Sequence, residues 1–318
     1  MRILVTGGAG FIFSNFIRHM LKKYPDYHIT NLDKLTYCGR IENTLDFKNN
    51  KNYKFIKGDI CNKKLVEKIT KGTDVIINGA AETHVDRSII DAGTFVKTDM
   101  FGTYVLLEAA RKNDVEKYIQ VSTDEVYGSI KNGSFKESDP PNPSSPYSAS
   151  KAGADMLVGA YRKTYNLPAM ITRSSNNYGP YQFPEKLVPL FITNLLENKK
   201  VPVYGTGLNI RDWLFVIDNC KAIDKVLHKG RIGEIYNIAA SEERDNLEIT
   251  KILLKLIGKS EEMIQFVEDR KGHDFRYSMG SSKIRELGWK PEVDLEVGLK
   301  ATVEWYRENE QWWRSIRK

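Results

Sequence analysis

The feature that most constrains this chain stands at its start. Residues 3–13 read Ile-Leu-Val-Thr-Gly-Gly-Ala-Gly-Phe-Ile-Phe, a β-rich apolar run that passes through closely spaced glycines. A helical pattern follows at once, because Phe13, Phe16, Ile17, Met20 and Leu21 recur at i, i+3, i+4, i+7 and i+8. Strand, glycine turn and helix in that order open a βαβ unit. The glycines let the backbone turn tightly and approach a pyrophosphate, which then rests on the helix N-terminus. The pattern points to a dinucleotide, although an ordinary glycine-rich turn shares the same local features. One requirement of the fingerprint fails. Its third glycine is replaced by Phe13, on the inward stripe of the helix. Uncompensated overpacking there would cost about 1–3 kcal/mol.

The same alternation continues downstream. Strands are expected at 3–6, 28–32, 53–57, 75–78, 118–122 and 169–173, with amphipathic stretches between them, one of them at 145–165. Alternating strands and helices imply an α/β fold, a Rossmann-type doubly wound parallel sheet with helices on both faces. After about residue 174 the rhythm loosens. Residues 176–184, rich in Asn, Tyr, Gly and Pro, read as an ordered loop. A helix near 185–198, a strand near 235–238, a helix through Leu247 to Ile257 and an aromatic C-terminal helix at 295–313 follow. A dinucleotide domain of 1–173 plus about 207–240 is therefore expected, with a smaller C-terminal substrate-binding lobe from about 174–206 and 241–318. Trp305, Tyr306, Trp312 and Trp313 read as helix packing rather than a ligand box.

Composition narrows the class. With 318 residues, 41% hydrophobic and 28% charged, the chain can bury a sizeable core and is not expected to be disordered or fibrous. No apolar run approaches the ~20 residues of a membrane-spanning helix, and no signal-peptide pattern precedes the first strand. Cys38, Cys61 and Cys220 are odd in number and far apart, which favours a reducing cytoplasm over a disulfide framework. The five histidines lack paired metal-ligand spacing, so no metal is expected. The net charge of +7 asks for an anionic partner, but the basic residues are interspersed with acids rather than striped. That argues against nucleic acid.

Three sets of residues carry candidate chemistry. Asp33 ends the second strand, 23 residues after Gly10, where a carboxylate accepts ribose hydroxyls. It would also repel a 2′-phosphate, which favours NAD over NADP. The alternative is a solvated turn aspartate. Asp59 follows the third strand in the same way and could reach the adenine. Tyr147 and Lys151 lie four apart on the expected helix, hence on one face. A nearby ammonium favours phenolate, moving a tyrosine from its usual ~10 toward neutrality, so the pair can act as a base on a hydroxyl. The fifth strand ends in Ser122-Thr123-Asp124-Glu125, at the strand end where open parallel sheets bind ligands. Adjacent carboxyls there can serve as acid and base if their environments separate their pKa values, or can simply be solvated turn acids.

TGGAGFI, STDEVYG and YSASK together resemble the extended short-chain dehydrogenase/reductase family. AAETHVDRSI (80–89), RSSNNYGPYQFPEKL (173–187), VYGTGLNIRDWLFV (203–216), DRKGHDFRY (269–277) and SKIRELGWKP (282–291) are similar to segments of its dTDP-glucose 4,6-dehydratase group, over nearly the whole chain. The resemblance implies NAD as cofactor and dTDP-glucose as substrate. It implies transient oxidation at C4 with bound NAD, elimination of water across C5–C6 and return of the hydride to C6. Tyr147, supported by Lys151, would take the 4-hydroxyl proton, with Thr123 on the same oxygen. Glu125 would take the C5 proton and Asp124 would protonate the departing 6-hydroxyl.

The resemblance also implies a cofactor set of Gly7, Gly10, Phe11, Ile12, Asp33, Lys34, Thr36, Asp59, Ile60, Ala80, Ala81, Thr98, Tyr147 and Lys151. The substrate set would be His84, Asn176, Glu185, Lys186, Leu187, Pro202, Tyr204, Arg211, Asn246, Arg270, His273 and Tyr277. Arg211 and Arg270 would hold the diphosphate; a surface salt bridge is the alternative for each. His84 has the alternative of a hydrogen-bonded core or loop histidine. A homodimer is implied, through helices around 98–111 and around Tyr147. Three positions depart from the family pattern: Phe13 for glycine, Asp99 for the usual Asn and Lys271 for the usual Pro. A nucleotide-sugar epimerase is the nearest rival, since epimerases keep Tyr-x-x-x-Lys but usually lack the Asp-Glu pair. A GDP-mannose dehydratase usually lacks the Asp of that pair. A nucleotide or nucleic-acid binding protein without turnover is the remote rival.

Overall fold

The β-rich runs pair into one sheet whose central strands are apolar on both faces, while the edge strand keeps lysines. The computed structural model describes residues 1–269 and 273–317. Its strands are β1 (Arg2–Thr6), β2 (His28–Asp33), β3 (Tyr53–Lys57), β4 (Val75–Asn78), β5 (Lys117–Thr123), β6 (Ala169–Ser174), β7 (Asn176–Tyr178), β8 (Val201–Tyr204), β9 (Ile210–Phe215), β10 (Ile235–Ile238), β11 (Glu243–Asp245) and β12 (Ile264–Val267). Seven of them form the central sheet in the order β3-β2-β1-β4-β5-β6-β10. Every pairing in it is parallel, with Leu4 of β1 opposite Thr30 on one side and Ile76 on the other.

The helices are α1 (Phe11–Lys23), α2 (Lys63–Ile69), α3 (Val85–Ile90), α4 (Ala92–Phe95), α5 (Gly102–Lys112), α6 (Pro146–Tyr165), α7 (Leu187–Leu196), α8 (Val216–Lys229), α9 (Asn246–Ile257), α10 (Ser282–Glu286), α11 (Leu295–Glu308) and α12 (Glu310–Arg314). Ile3, Val5, Ile77 and Ile119 point to one side of the sheet, into a core with Phe16 and Met20 of α1 and Ile223 and Val226 of α8. Their neighbours Leu4, Ile76 and Tyr118 point to the other side, against Leu106 of α5 and Val158 of α6. Both faces are thus covered, as a parallel sheet requires. Each large side chain buried there contributes about 1.5–3 kcal/mol.

Local signals set the ends of the helices. Ser145 and Ser148 cap α6 reciprocally, Pro146 occupies its first turn, and Asn166 ends it in the left-handed region at φ 54°. Between α4 and α5, residues Val96–Phe101 form a π-helical stretch, so 92–112 is one continuous rod with a wide turn in its middle.

The second half builds the smaller lobe. Its strands form a β11-β9-β7 sheet and a β12-β8 pair. Tyr178, Phe191, Ile192, Leu253, Leu299, Tyr306 and Trp313 share its core. Trp305 and Trp312 pack against that core, ring on ring, with centroids 5.1 Å apart. β9 stitches the two cores, with Trp213 in the lobe and Leu214 in the sheet. Ile284 and Trp289, from the stretch expected in the lobe, pack instead beside α1 and α8. Cys38, Cys61 and Cys220 are free, and among the described residues no helix is long and apolar enough to cross a membrane.

The chain runs from β1 outward to β3 and then crosses back to β4 on the other side of β1. A crevice opens beyond the carboxyl ends of strands at such a reversal.

Candidate active site

The glycine-rich turn caps that crevice. Gly7 adopts φ +73°, and a Cβ on it would stand 2.9 Å from the Ala80 backbone. Only glycine fits so close a crossing. The Gly10 amide donates to the Gly7 carbonyl at 3.0 Å and Gly10 then caps α1. No side chain caps that N-terminus and its first turn holds no acid. The free N–H groups and the positive end of the helix dipole are left for an anion. Asp33 is buried rather than solvated, and its carboxylate accepts from Ala9 N at 2.9 Å and Leu35 N at 2.8 Å. Burial raises its pKa.

Phe13 is accommodated, not strained. Its ring is 3% exposed and packs edge-on against Phe16. The room comes from Gly79, where a Cβ would lie 2.0 Å from the Phe13 ring. The overpacking expected at a bulky third position is relieved by a missing side chain just past β4.

A cavity of about 340 Å³ extends from this turn along the strand ends. Gly7, Gly10, Phe11, Ile12, Asp33, Lys34, Thr36, Asp59, Ile60, Ala80, Ala81 and Thr98 all line it. So do Thr123, Asp124, Glu125, Tyr147 and Lys151. Lys34 pairs with Asp59 at 2.9 Å. A second cavity of about 230 Å³ adjoins the first and is lined by His84, Asn176, Glu185, Lys186, Leu187, Pro202, Tyr204, Arg211, Asn246, His273 and Tyr277. Glu125, Asn176, Glu185, Lys186, Leu187 and Trp213 belong to both linings, so the cavities share a wall. Arg270 and Lys271 lie outside the described residues.

Burial dominates the electrostatics of the first cavity. Asp124 is 4% exposed, and desolvation, with the negative charge of Glu125 behind it, pushes its pKa up to about 8. Thr123 donates to Asp124 Oδ1 at 3.1 Å and accepts from Glu125 N, which fixes the turn. Burial thus biases Asp124 toward its protonated form, the form that can donate a proton. Tyr147 departs from expectation. Desolvation and the charges of Glu125, Asp99 and Asp124 hold its phenol well above 10, whereas the i+4 lysine suggested lowering. The Lys151 ammonium donates to the Val121 carbonyl at 2.7 Å. Asp99 sits on the π-helical turn, 2% exposed, and accepts from Glu82 N at 3.0 Å and Ser150 Oγ at 2.7 Å. Burial pushes it up to about 6.

In the second cavity the Arg211 guanidinium is 7% exposed and donates to the carbonyls of Ile210, Asp274 and Phe275 while lying 4.2 Å from the Tyr277 ring centroid. Among the described residues no carboxylate lies within ion-pair distance of it, so it is not the surface salt bridge that was the alternative. Glu185 accepts from Tyr37 Oη at 2.8 Å, and His84 and Arg87 approach it at 3.7 and 3.8 Å. Lys186 reaches the Thr83 carbonyl at 2.6 Å.

The family model described as GDP-mannose 4,6 dehydratase matches residues 4–302. A dTDP-glucose 4,6-dehydratase of Streptomyces niveus is 50% identical over 100% of this chain and 96% of its own. The chain belongs to this 4,6-dehydratase family. The crystal structure of DesIV, a dTDP-glucose 4,6-dehydratase from Streptomyces venezuelae solved with NAD bound, superposes with TM-score 0.98 at 49% identity, covering 99% of this chain and 100% of that one. A dTDP-glucose 4,6-dehydratase from Bacillus anthracis in complex with NAD gives 0.93 at 51%, covering 99% of each.

The residues of this 4,6-dehydratase family member also fit such a dinucleotide on their own terms. The glycine cradle would be filled by a Cβ, the α1 N-terminus is uncapped, and the carboxylate of Asp33 lies at the end of β2 in the cavity wall. Asp124 Oδ2, Asn176 Oδ1 and Asn177 Oδ1 are buried without a hydrogen-bond partner among the described residues, which leaves two amide acceptors and one carboxyl oxygen for a ligand. Several lining residues were not singled out in the sequence. Ser174, Ser175, Asn177 and Gln182 sit inside the Arg-Ser-Ser-Asn-Asn-Tyr-Gly-Pro stretch and its extension, so the motif located them without naming them. Glu82 in the 80–89 segment and Trp213 in the 203–216 segment were located in the same way, while Cys38 carries no local site signal and enters only through the fold.

Proposed function

We infer that the chain is an NAD-dependent hydro-lyase that converts dTDP-glucose to dTDP-4-keto-6-deoxyglucose. One observation carries the reading: a buried Asp124, its pKa raised by desolvation, beside Glu125 and in the same cavity as Tyr147 and Lys151. Reversible oxidation of a hydroxyl needs a base, and β-elimination needs a second acid–base pair. The strand end of β5 and the first turn of α6 supply both. Bound NAD supplies the electron acceptor for C4 and the donor for C6, and its oxidised ring adds a positive charge that favours a phenolate.

The chain's own groups do the rest. Tyr147 takes the proton of the sugar 4-hydroxyl, and the Thr123 hydroxyl donates a hydrogen bond to that oxygen. The 4-keto group acidifies C5–H, whose proton goes to Glu125. Asp124 gives its proton to the departing 6-hydroxyl, which leaves as water. Glu125 returns its proton to C5 once C6 is reduced. Arg211 would hold the diphosphate, and Lys186 adds charge at the shared wall; Arg270, which the family resemblance pairs with Arg211, lies outside the described residues. Asn246, Tyr204, His273 and Tyr277 surround the nucleoside end. Gly7, Gly10, Phe11 and Ile12 would hold the cofactor diphosphate, Asp33 and Lys34 its ribose, and Asp59 and Ile60 its adenine side, all of them lining the first cavity.

We assign residues 1–173 and about 207–240 to the cofactor domain, and 174–206 and 241–318 to the nucleotide sugar except for the stretch around Ile284 and Trp289, which packs with the cofactor domain. The active form is a cytoplasmic homodimer. Val96 (49% exposed), Phe101 (40%), Met156 (61%) and Tyr165 (50%) give the rod at 92–112 and α6 an apolar outer side, which a second copy would cover.

The test is direct. Purified protein incubated with dTDP-glucose is read by mass spectrometry, and a product lacking one water with a 4-keto-6-deoxy hexose is expected. Unchanged or merely epimerised sugar overturns the reading.

A further inference from the structure

The aromatic cluster of α11 and α12 has no part in the proposed reaction, yet one member reaches the glycine-rich turn through a relay. Trp312 Nε1 donates to Asn43 Oδ1 at 2.8 Å. Asn43 is 1% exposed, and its Nδ2 donates to the Ala9 carbonyl at 2.8 Å. Ala9 stands between Gly7 and Gly10, and its own N–H is held by Asp33. The Arg40 amide donates to the same carbonyl at 2.9 Å, and the Arg40 guanidinium reaches Ser315 Oγ, just beyond α12, at 3.2 Å. Two strands of hydrogen bonds therefore run from the chain's end to one peptide of the turn.

We propose that α12 is a clasp on the glycine-rich turn, with Trp312 and Asn43 as positioning residues for dinucleotide binding. The indole N–H can only donate and a carbonyl can only accept. Trp312 thereby fixes the Asn43 amide with its oxygen outward and its NH₂ toward Ala9. The indole is held in turn by Trp305 at 5.1 Å and Tyr181 at 6.0 Å between ring centroids. Arg18 ties the same region together, donating to the Asn43 carbonyl at 3.0 Å with its guanidinium 4.4 Å from the Tyr181 ring centroid. Without the indole donor the amide is free to rotate, and the Ala9 carbonyl beside Gly10 loses one of its two donors, keeping only the Arg40 amide, so the neighbouring N–H groups are less firmly aimed at a diphosphate. The relay crosses from the lobe to the cofactor domain, so the far end of the sequence sets the geometry of the first turn. This inference rests on NAD occupying the first cavity.

The test uses the full chain, freed of nucleotide and titrated with NAD by calorimetry. Trp312→Phe keeps most of the ring packing and removes the donor. The NAD dissociation constant is expected to rise about three- to tenfold, the effect of one buried hydrogen bond, with little change in the melting temperature of the nucleotide-free protein. Asn43→Ala should raise it at least as much. The double variant should bind no worse than Asn43→Ala alone, because Trp312 acts only through Asn43. Unchanged affinity in Trp312→Phe, or additive losses in the double variant, overturns the clasp. Should Trp312→Phe fail to fold, Asn43→Asp keeps the volume and the acceptor but loses the donor to Ala9, and must weaken NAD binding likewise. A wild-type chain that takes up no NAD overturns the cofactor assignment, and the clasp with it.

Discussion

Phe13 and Gly79 share a single volume. A Cβ added at position 79 would lie 2.0 Å from the Phe13 ring, a separation at which something must shift. The two positions are 66 apart in sequence, yet each makes sense only in the presence of the other. Gly79→Ala is expected to destabilise the protein by about 1–3 kcal/mol, the cost of overpacking. Combined with Phe13→Leu, the same change should cost less than the sum of the two singles. Denaturant unfolding of the four proteins measures the coupling, and simple additivity would show that the volume is not shared.

Asp124 predicts a pH limb. With its pKa raised to about 8, the carboxyl is protonated below that pH and loses its proton above it. Elimination should therefore slow as pH rises through about 8. Asp124→Asn should reduce product formation by about 100- to 10,000-fold, the usual contribution of a positioned acid, and abolish that limb. A second effect has a fixed sign. Between the unfolded carboxylate range and about 8 the native state binds more protons than the unfolded one, so this residue makes stability fall with rising pH. Asp124→Asn should remove that fall, seen as a melting temperature that is less sensitive to pH.

Asp99 predicts a shift at the opposite end. Its negative charge is one of those holding the Tyr147 phenol up. Asp99→Asn keeps an acceptor for Glu82 N and can donate to Ser150 Oγ, whose hydroxyl also donates to the Tyr147 carbonyl. Phenolate should then form at lower pH, moving the acid limb of the kcat profile down by on the order of one unit or less. A limb that stays in place would show that Asp99 does not act on Tyr147.

Arg173 and Asp155 form an ion pair at 2.9 Å with side chains 3% and 2% exposed. The guanidinium also lies 4.6 Å from the Tyr127 ring centroid. Asp155→Ala strands a buried cation and should cost about 3–5 kcal/mol. Urea unfolding checks this, and a loss below 1 kcal/mol would contradict it.

Much of this architecture is legible in the sequence because the signals are local. Apolar and β-rich runs placed β1 to β6 to within a residue or two, most clearly β1 and β4, where a strand buried on both faces is apolar almost throughout. The glycine turn announced itself by spacing, and the motifs around Thr123 and Tyr147 marked residues that do converge on one cavity. Illegible features depend on distant partners. Gly79 gives no hint that it makes room for Phe13. The upward displacement of Tyr147 arises first from its burial and then from Glu125 and Asp99, all of which the fold imposes, while the neighbouring Lys151 alone suggested the reverse. The wide turn at Val96–Phe101 leaves no periodic trace, and the short strands β7, β8, β11 and β12 are too brief to read against their loops.

That wide turn works as a phase shifter. A regular helix advances about 100° per residue, and a π-helical turn accommodates one residue more, so the two ends of the rod are rotated out of step. Within the wide turn, Asp99 meets Glu82 and Ser150; beyond it, Val105, Leu106 and Ala109 face the sheet. One helix can thereby serve two surfaces that a uniform winding could not satisfy together. Deleting a single residue between 96 and 101 would leave the rod helical but turn one surface away from its partner, which makes this stretch less tolerant of length change than any exposed loop.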